Sequence, residues 1–248
     1  MSVVLQVDGL HKAFGGVQAV EDVSFAVSAG ELLALIGPNG AGKSTCFNML
    51  NGQLAADSGV VRLEGRDVLG QSPRAIWRMG VGRTFQITAT FSSLSVRENV
   101  QMALYSHAGK LRSLLSRFGA ELQTEADALL GQVGMLDQAE RPCGVLAYGD
   151  LKRVELAMAL ANQPRLLLMD EPTAGMAPRE RVALMALAAG LARAQKIAVL
   201  FTEHDMDVVF SQADRIIVLD RGRVIAGGLP AEVRANPDVQ AVYLGAGH

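Results

Sequence analysis

The sequence predicts an α/β fold. It has a mostly parallel central sheet, an N-terminal antiparallel β subdomain and an inserted all-α subdomain. Three observations predict it. Short apolar segments, some at period two, fill the first thirty residues. Strand and helix signals alternate from Arg165 to Leu219, the pattern of a parallel sheet covered by helices. Between about Phe91 and Leu160 the strand signal vanishes and only helical signals remain. The chain reads as a single domain in which 1–90 and 161–248 form the core with the β subdomain and 91–160 form the helical subdomain.

The elements follow in order. Val3–Val7 is apolar except for Gln6, and Val20–Val27 carries Val23, Phe25 and Val27 at period two, as a half-buried strand does. Leu32–Ile36 is a continuous apolar run ending in a Gly/Pro/Asn turn, the mark of a strand buried on both faces. A helix is expected over Lys43–Leu50. Val60–Leu63 and Val68 read as strand around a hairpin-like turn at Glu64–Asp67. Helices are expected at Ser95–Leu104, Leu111–Phe118, Glu121–Val133 and Leu151–Leu160, and Ser95 with Glu98 forms a capping box. Strand Arg165–Met169, helix Arg179–Ala194, strand Ile197–Thr202, helix Asp205–Ala213 and strand Arg215–Leu219 complete the sheet.

Composition narrows the function. Half of the 248 residues are apolar and 19% are charged, so the chain can bury enough surface to offset its ordering entropy. The 23 basic against 25 acidic residues leave no excess for an electrostatically driven nucleic-acid binder. No window reaches the ~18 uninterrupted apolar residues of a membrane span. Met1–Leu10 lacks the pattern of a signal peptide. Two cysteines make no disulfide framework, which points to a reducing compartment. Yet mean hydropathy is +0.23, greasy for a chain without a membrane segment.

Gly37, Pro38, Asn39, Gly40, Ala41, Gly42, Lys43, Ser44 and Thr45 match G-x-x-x-x-G-K-[ST] between a buried strand and a helix. A triphosphate needs a ring of backbone N–H donors, hence the glycines. The helix N-terminus adds positive potential. Lys43 supplies a point charge to the β- and γ-phosphates, and the Ser44 hydroxyl is placed to ligate Mg²⁺. The apolar run Leu166–Met169 ends in Asp170 and Glu171, at the edge of a parallel sheet where ligands sit. Asp170 can reach the Mg²⁺ shell, and Glu171 can polarise water for attack on the γ-phosphate. His204 follows another apolar strand, where it can bind a phosphate oxygen or orient water. His11, His107 and His248 read as surface residues.

With these motifs in order along the whole chain, the sequence resembles the ATP-binding subunit of ABC transporters. The resemblance implies a P-loop NTPase core of the RecA-like type that binds ATP and Mg²⁺ and hydrolyses ATP. Phe14, in Lys-Ala-Phe-Gly-Gly, looks like the aromatic that stacks on adenine. Gln86, in Gly82-Arg-Thr-Phe-Gln86, looks like the glutamine that joins the Mg²⁺ and water site to the helical subdomain. Leu146-Ala-Tyr-Gly-Asp150 stands at the signature sequence, so Ala147, Tyr148 and Gly149 are implied to hold the γ-phosphate of ATP on a facing subunit. Ala174-Gly-Met-Ala177 stands at the D-loop. Asp170, Glu171 and His204 match the Mg²⁺ aspartate, the catalytic glutamate and the switch histidine.

More narrowly, Phe14-Gly-Gly, Gly82–Gln86, Arg97-Glu-Asn-Val100, Leu146–Gly149, Ala174-Gly-Met176 and the closing Tyr243-Leu-Gly-Ala-Gly247 resemble importers of branched-chain and other hydrophobic amino acids. The implied partners are a second ATP-binding subunit, identical or paralogous, integral membrane permeases and, indirectly, an external substrate-binding protein. The implied place is the cytoplasmic face of the plasma membrane, peripherally. Other ABC systems (urea uptake or lipopolysaccharide export) and soluble ABC ATPases acting on DNA or ribosomes are the alternatives. The latter carry coiled-coil insertions or two fused units, absent here.

The signature departs from the common form at Ala147 and Tyr148, where serine and glycine are usual, and at Asp150, where glutamine is usual. Asp150 is expected to turn away as the cap of a helix from Leu151, with Lys152 and Arg153 offsetting its charge. Cys46 reads as a small apolar residue facing the sheet, against a thiol acidified by the helix start. Lys110, Arg112 and Arg117 lie in a basic amphipathic stretch, either an ordinary solvated face or one close to membrane or permease. Val182, Met185, Ala189 and Ala192 read as a core face, and Trp77 as packing.

Overall fold

The computed structural model describes residues 2–84, 90–109 and 122–244. Gln86, the expected helix Leu111–Phe118 with its basic residues, and His248 lie outside the described residues.

Two sheets organise the described chain. The first has the order β2-β1-β4-β5 and is antiparallel, with β1 at Val3–Phe14, β2 at Val17–Ser28, β4 at Ser58–Leu63 and β5 at Arg66–Asp67. The β1–β2 hairpin runs well beyond the two expected strands, because each supplies the other with backbone partners as far as Phe14 and Val17. The expected turn at Glu64–Asp67 is tighter, since Arg66 and Asp67 already pair with Leu63 and Arg62.

The second sheet has the order β10-β9-β3-β8-β7-β6. Its strands are β3 (Leu32–Ile36), β6 (Val81–Thr84), β7 (Leu166–Asp170), β8 (Ala198–Thr202), β9 (Arg215–Asp220) and β10 (Arg223–Gly228). Five run parallel, and β10 returns antiparallel along β9. Period two then sorts the side chains. Leu32, Ala34 and Ile36 join one core with Val199 and Phe201, while Leu33 and Leu35 join a second with Ala198 and Leu200. Strands β3, β7, β8 and β9 are buried on both faces, which accounts for their continuous apolar runs and contributes to the high mean hydropathy. Each fully buried Leu, Ile or Val contributes about 1.5–3 kcal/mol.

Helix α1 (Lys43–Leu50) follows β3, and α2 (Pro73–Arg78) precedes β6. The helical stretch holds α3 (Val96–His107), α4 (Gln123–Gln132) and α5 (Tyr148–Leu160). The capping box forms as read: Ser95 Oγ accepts from the Glu98 amide at 3.2 Å, and Glu98 Oε2 accepts from the Ser95 amide at 2.7 Å. Beyond β7 come α6 (Pro178–Gln195), α7 (Met206–Gln212), α8 (Pro230–Ala235) and α9 (Pro237–Leu244). On α6, Met185, Ala189 and Ala192 are buried, but Val182, near the N-terminal end of the same face, is 46% exposed and is not part of the core. Trp77 is half-buried and meets His107 edge to face at 5.4 Å between ring centroids. Among the described residues no helix is long and apolar enough to cross a membrane.

Candidate nucleotide site

The phosphate loop is shaped by contacts that admit no side chain. A Cβ at Gly37 would collide with the Leu219 carbonyl oxygen, and one at Gly42, whose φ is 103°, with the Ala19 carbonyl oxygen. The β9–β10 turn clamps the loop from outside: the Gly222 amide donates to the Ala41 carbonyl at 3.0 Å, and the Gly222 carbonyl accepts from the Glu21 amide at 2.7 Å. Lys43 opens α1 and is 7% exposed. Its Nζ donates to the carbonyls of Gly37 at 2.7 Å and Pro38 at 3.0 Å. Burial lowers its pKa, and the charges of Glu171 and Asp170 oppose that shift, which places both carboxylates within electrostatic reach. Asn39, Gly40 and Ser44 are exposed, and Pro38 and Thr45 are half-buried.

Asp170 ends β7. Its Oδ1 accepts from the Thr202 hydroxyl at 2.8 Å, and its Oδ2 lies 3.6 Å from Arg83 of β6. Glu171 is next, in the left-handed region at φ 47°, its amide donating to the Thr202 carbonyl at 3.2 Å and hydroxyl at 3.0 Å. Its Oε1 stands 2.8 Å from His204 Nε2. The structure thus gathers Lys43, Asp170, Glu171 and His204 from three elements. Sequence reasoning missed Arg83, Thr202 and the buried Glu203, whose partners lie across the sheet. A carboxylate directly after an apolar strand was the signal for Glu203.

The remaining residues come from elsewhere. Phe14 ends β1, 48% exposed, with Lys12 Nζ 5.4 Å from its ring centroid. Ala147 caps α5, exposed Tyr148 and buried Gly149 begin it, and a Cβ at Gly149 would meet the Glu180 carboxylate at 3.3 Å. A Cβ on Gly175 would stand 3.5 Å from the Tyr148 ring, so signature and D-loop lie against one another. The expected cap is corrected here. The helix starts at Tyr148 rather than Leu151, so Asp150 stands in the first turn, where a carboxylate favours the helix dipole. The Lys152 ammonium is buried and paired with Glu155 at 2.9 Å. Cys46 is fully buried, and burial pushes its thiol up to about 12, against any acidified thiol. Tyr243 on α9 packs on the core. Burial pushes its phenol up to about 12, with the nearby Gly37 backbone opposing the shift.

The donors near Lys43 suit Mg²⁺. That ion takes hard oxygens, keeps several waters and needs only one or two protein ligands beside phosphate oxygens. The Ser44 hydroxyl and the Asp170 carboxylate are such donors. The described residues hold no cluster of three or more His, Cys, Asp or Glu that would favour a fully protein-built site.

Comparison with known proteins agrees with this geometry. Residues 20–174 match the ABC transporter family model, and residues 223–248 match the model for branched-chain amino acid ATP-binding cassette transporters. The chain is 39% identical, over 98% of both chains, to the high-affinity branched-chain amino acid transport ATP-binding protein BraF of Pseudomonas aeruginosa. It is 40% identical, over 98% of both chains, to the corresponding LivG of Salmonella typhimurium. An ATP-binding cassette of an ABC transporter, solved in its ADP conformation, superposes with a TM-score of 0.88 at 31% identity, covering 99% of this chain and 100% of that one. A phosphate loop, two carboxylates at the exit of β7 and relatives across the full length lead to one conclusion: this chain belongs to the ABC transporter family, as one of its ATP-hydrolysing, ATP-binding subunits.

Proposed function

We propose that the chain drives import of amino acids, branched-chain or other hydrophobic ones, through separate permease subunits. The observation that carries the substrate class is the C-terminal match over residues 223–248, joined to full-length similarity with BraF and LivG. In this reading residues 1–90 and 161–248 form the nucleotide-binding core, and 91–160 the helical subdomain with the signature. Two such subunits, identical or paralogous, sandwich ATP between the phosphate loop of one and Ala147–Gly149 of the other. Phe14 stacks on the adenine. The subunit sits peripherally on the cytoplasmic side of the membrane, below permeases served by an external binding protein.

The chemistry follows from the residues. Backbone amides of the 37–45 loop, Pro38 excepted, and the start of α1 hold the phosphates. The buried Lys43 ammonium balances charge on the β- and γ-phosphates. Glu171 takes a proton from a water, the water oxygen bonds to the γ-phosphorus, and the bond to the ADP oxygen breaks. His204 holds the Glu171 carboxylate through the 2.8 Å contact. Mg²⁺, held by Ser44, Asp170 and Gln86, would neutralise phosphate charge. Glu171→Gln tests this assignment in the assembled transporter. Turnover should fall by roughly 100-fold or more with ATP binding kept, and leucine uptake should stop. Retained turnover removes Glu171 as the base; leucine uptake indifferent to the variant removes the substrate class.

A further inference from the structure

The exit of β8 carries a carboxylate that the hydrolytic scheme leaves unused. Glu203 is 5% exposed, between Thr202 and His204. Its Oε1 accepts twice from one residue, from the Thr173 amide at 2.9 Å and the Thr173 hydroxyl at 2.7 Å. Its Oε2 accepts from the His204 amide at 3.3 Å. Thr202 meanwhile accepts from the Glu171 amide through both its carbonyl and its hydroxyl. The segments 170–173 and 202–204 are therefore laced together on both sides of Glu171. Glu171 itself sits at φ 47°, a conformation that costs on the order of 1–3 kcal/mol and persists only where its surroundings hold it.

We propose that Glu203 is a positioning residue for ATP hydrolysis. Through its two bonds from Thr173 it ties the turn after Glu171 to the exit of β8, one residue before His204, and so keeps the Glu171 carboxylate against the imidazole. The inference rests on the assignment of Glu171 as the base. A buried carboxylate is costly unless hydrogen-bonded, and this one accepts three donors at once, all of them on the two segments it joins. Leucine there would fill similar space and join nothing. Glutamine keeps an oxygen for both Thr173 donors and loses only the acceptor facing His204.

The test compares Glu203→Ala, Glu203→Gln and Glu171→Gln in the assembled transporter. For Glu203→Ala, kcat should fall roughly 10- to 100-fold, the loss that about 1 Å of misplacement produces, while KM for ATP stays within about twofold. Amide exchange at Thr173 should quicken, with the amides of 40–45 unchanged. Glu203→Gln should recover most of the lost kcat. Parental kcat in Glu203→Ala overturns the proposal, as does an equal loss of kcat and ATP affinity, or a glutamine as damaging as alanine. Should Glu203→Ala fail to fold, Thr173→Val replaces it. Loss of that one hydroxyl donor should lower kcat by roughly 3-fold or more at unchanged KM, and unchanged kcat overturns the proposal. Turnover surviving in Glu171→Gln refutes the base assignment itself, a result separable from every outcome above.

Discussion

Lys43 and Cys46 share the first turns of α1 and meet opposite surroundings. The ammonium lies among loop carbonyls within reach of two carboxylates, whereas the thiol points into the sheet. A thiol at about 12 holds almost no thiolate at neutral pH, so alkylating reagents should leave native turnover unchanged and label Cys46 only after unfolding. The pH dependence has a definite sign. The folded pKa is raised above the unfolded value near 9, so Cys46 favours folding fully below pH 9 and loses that contribution as pH climbs towards 12. Cys143, pushed up to about 11, acts in the same direction. Denaturation midpoints measured from pH 8 to 11 should fall steadily, and Cys46→Ala should flatten that fall. At this scale contiguous motifs were legible, because 37–45 and Asp170–Glu171 each carry their chemistry within a few residues. The lacing of Glu203 to Thr173 was not, since it joins the exits of two strands, thirty residues apart in the chain.

At the scale of elements, patterns with a local cause were read and those with a distant one were not. Helix α3 announces itself through Ser95 and Glu98. Removing that cap with Ser95→Ala should cost about 1 kcal/mol, visible as a lower denaturant midpoint at unchanged slope. By contrast β6 was passed over. It has four residues, one of them Gly82, which must be small because a Cβ would approach the Ala159 carbonyl oxygen at 2.6 Å. Only its pairing with β7 makes it a strand. Likewise β10 ends in two glycines at the sheet edge and takes its conformation from β9. The short helices α2, α8 and α9 begin at prolines that read equally well as turns.

For the whole molecule, the apolar excess resolves into a sheet whose central strands are buried on both faces, with a few large apolar side chains left outside. Phe91, Val145 and Val182 are among them. Such residues suit contact with other subunits. Affinity capture of the chain from membranes in mild detergent should therefore bring down polytopic permeases in fixed ratio. Recovery of the ATP-binding chain alone, under conditions that keep related transporters intact, would count against a transporter assembly.

The clamp of Gly222 on Ala41 also has a consequence in time. During synthesis the chain emerges from its N-terminus. The four strands of the first sheet are all available once Asp67 is made. The strand that feeds the phosphate loop must wait: β3 is flanked by β8 and β9, and its loop is closed by residue 222. Long-range pairing of this kind is slow to form and exposes unpaired edges meanwhile. On the ribosome, then, the fingerprint by which this chain is recognised is translated well before the strands and the turn that enclose it. A nascent chain carries the letters of an ATPase long before it can hold a nucleotide.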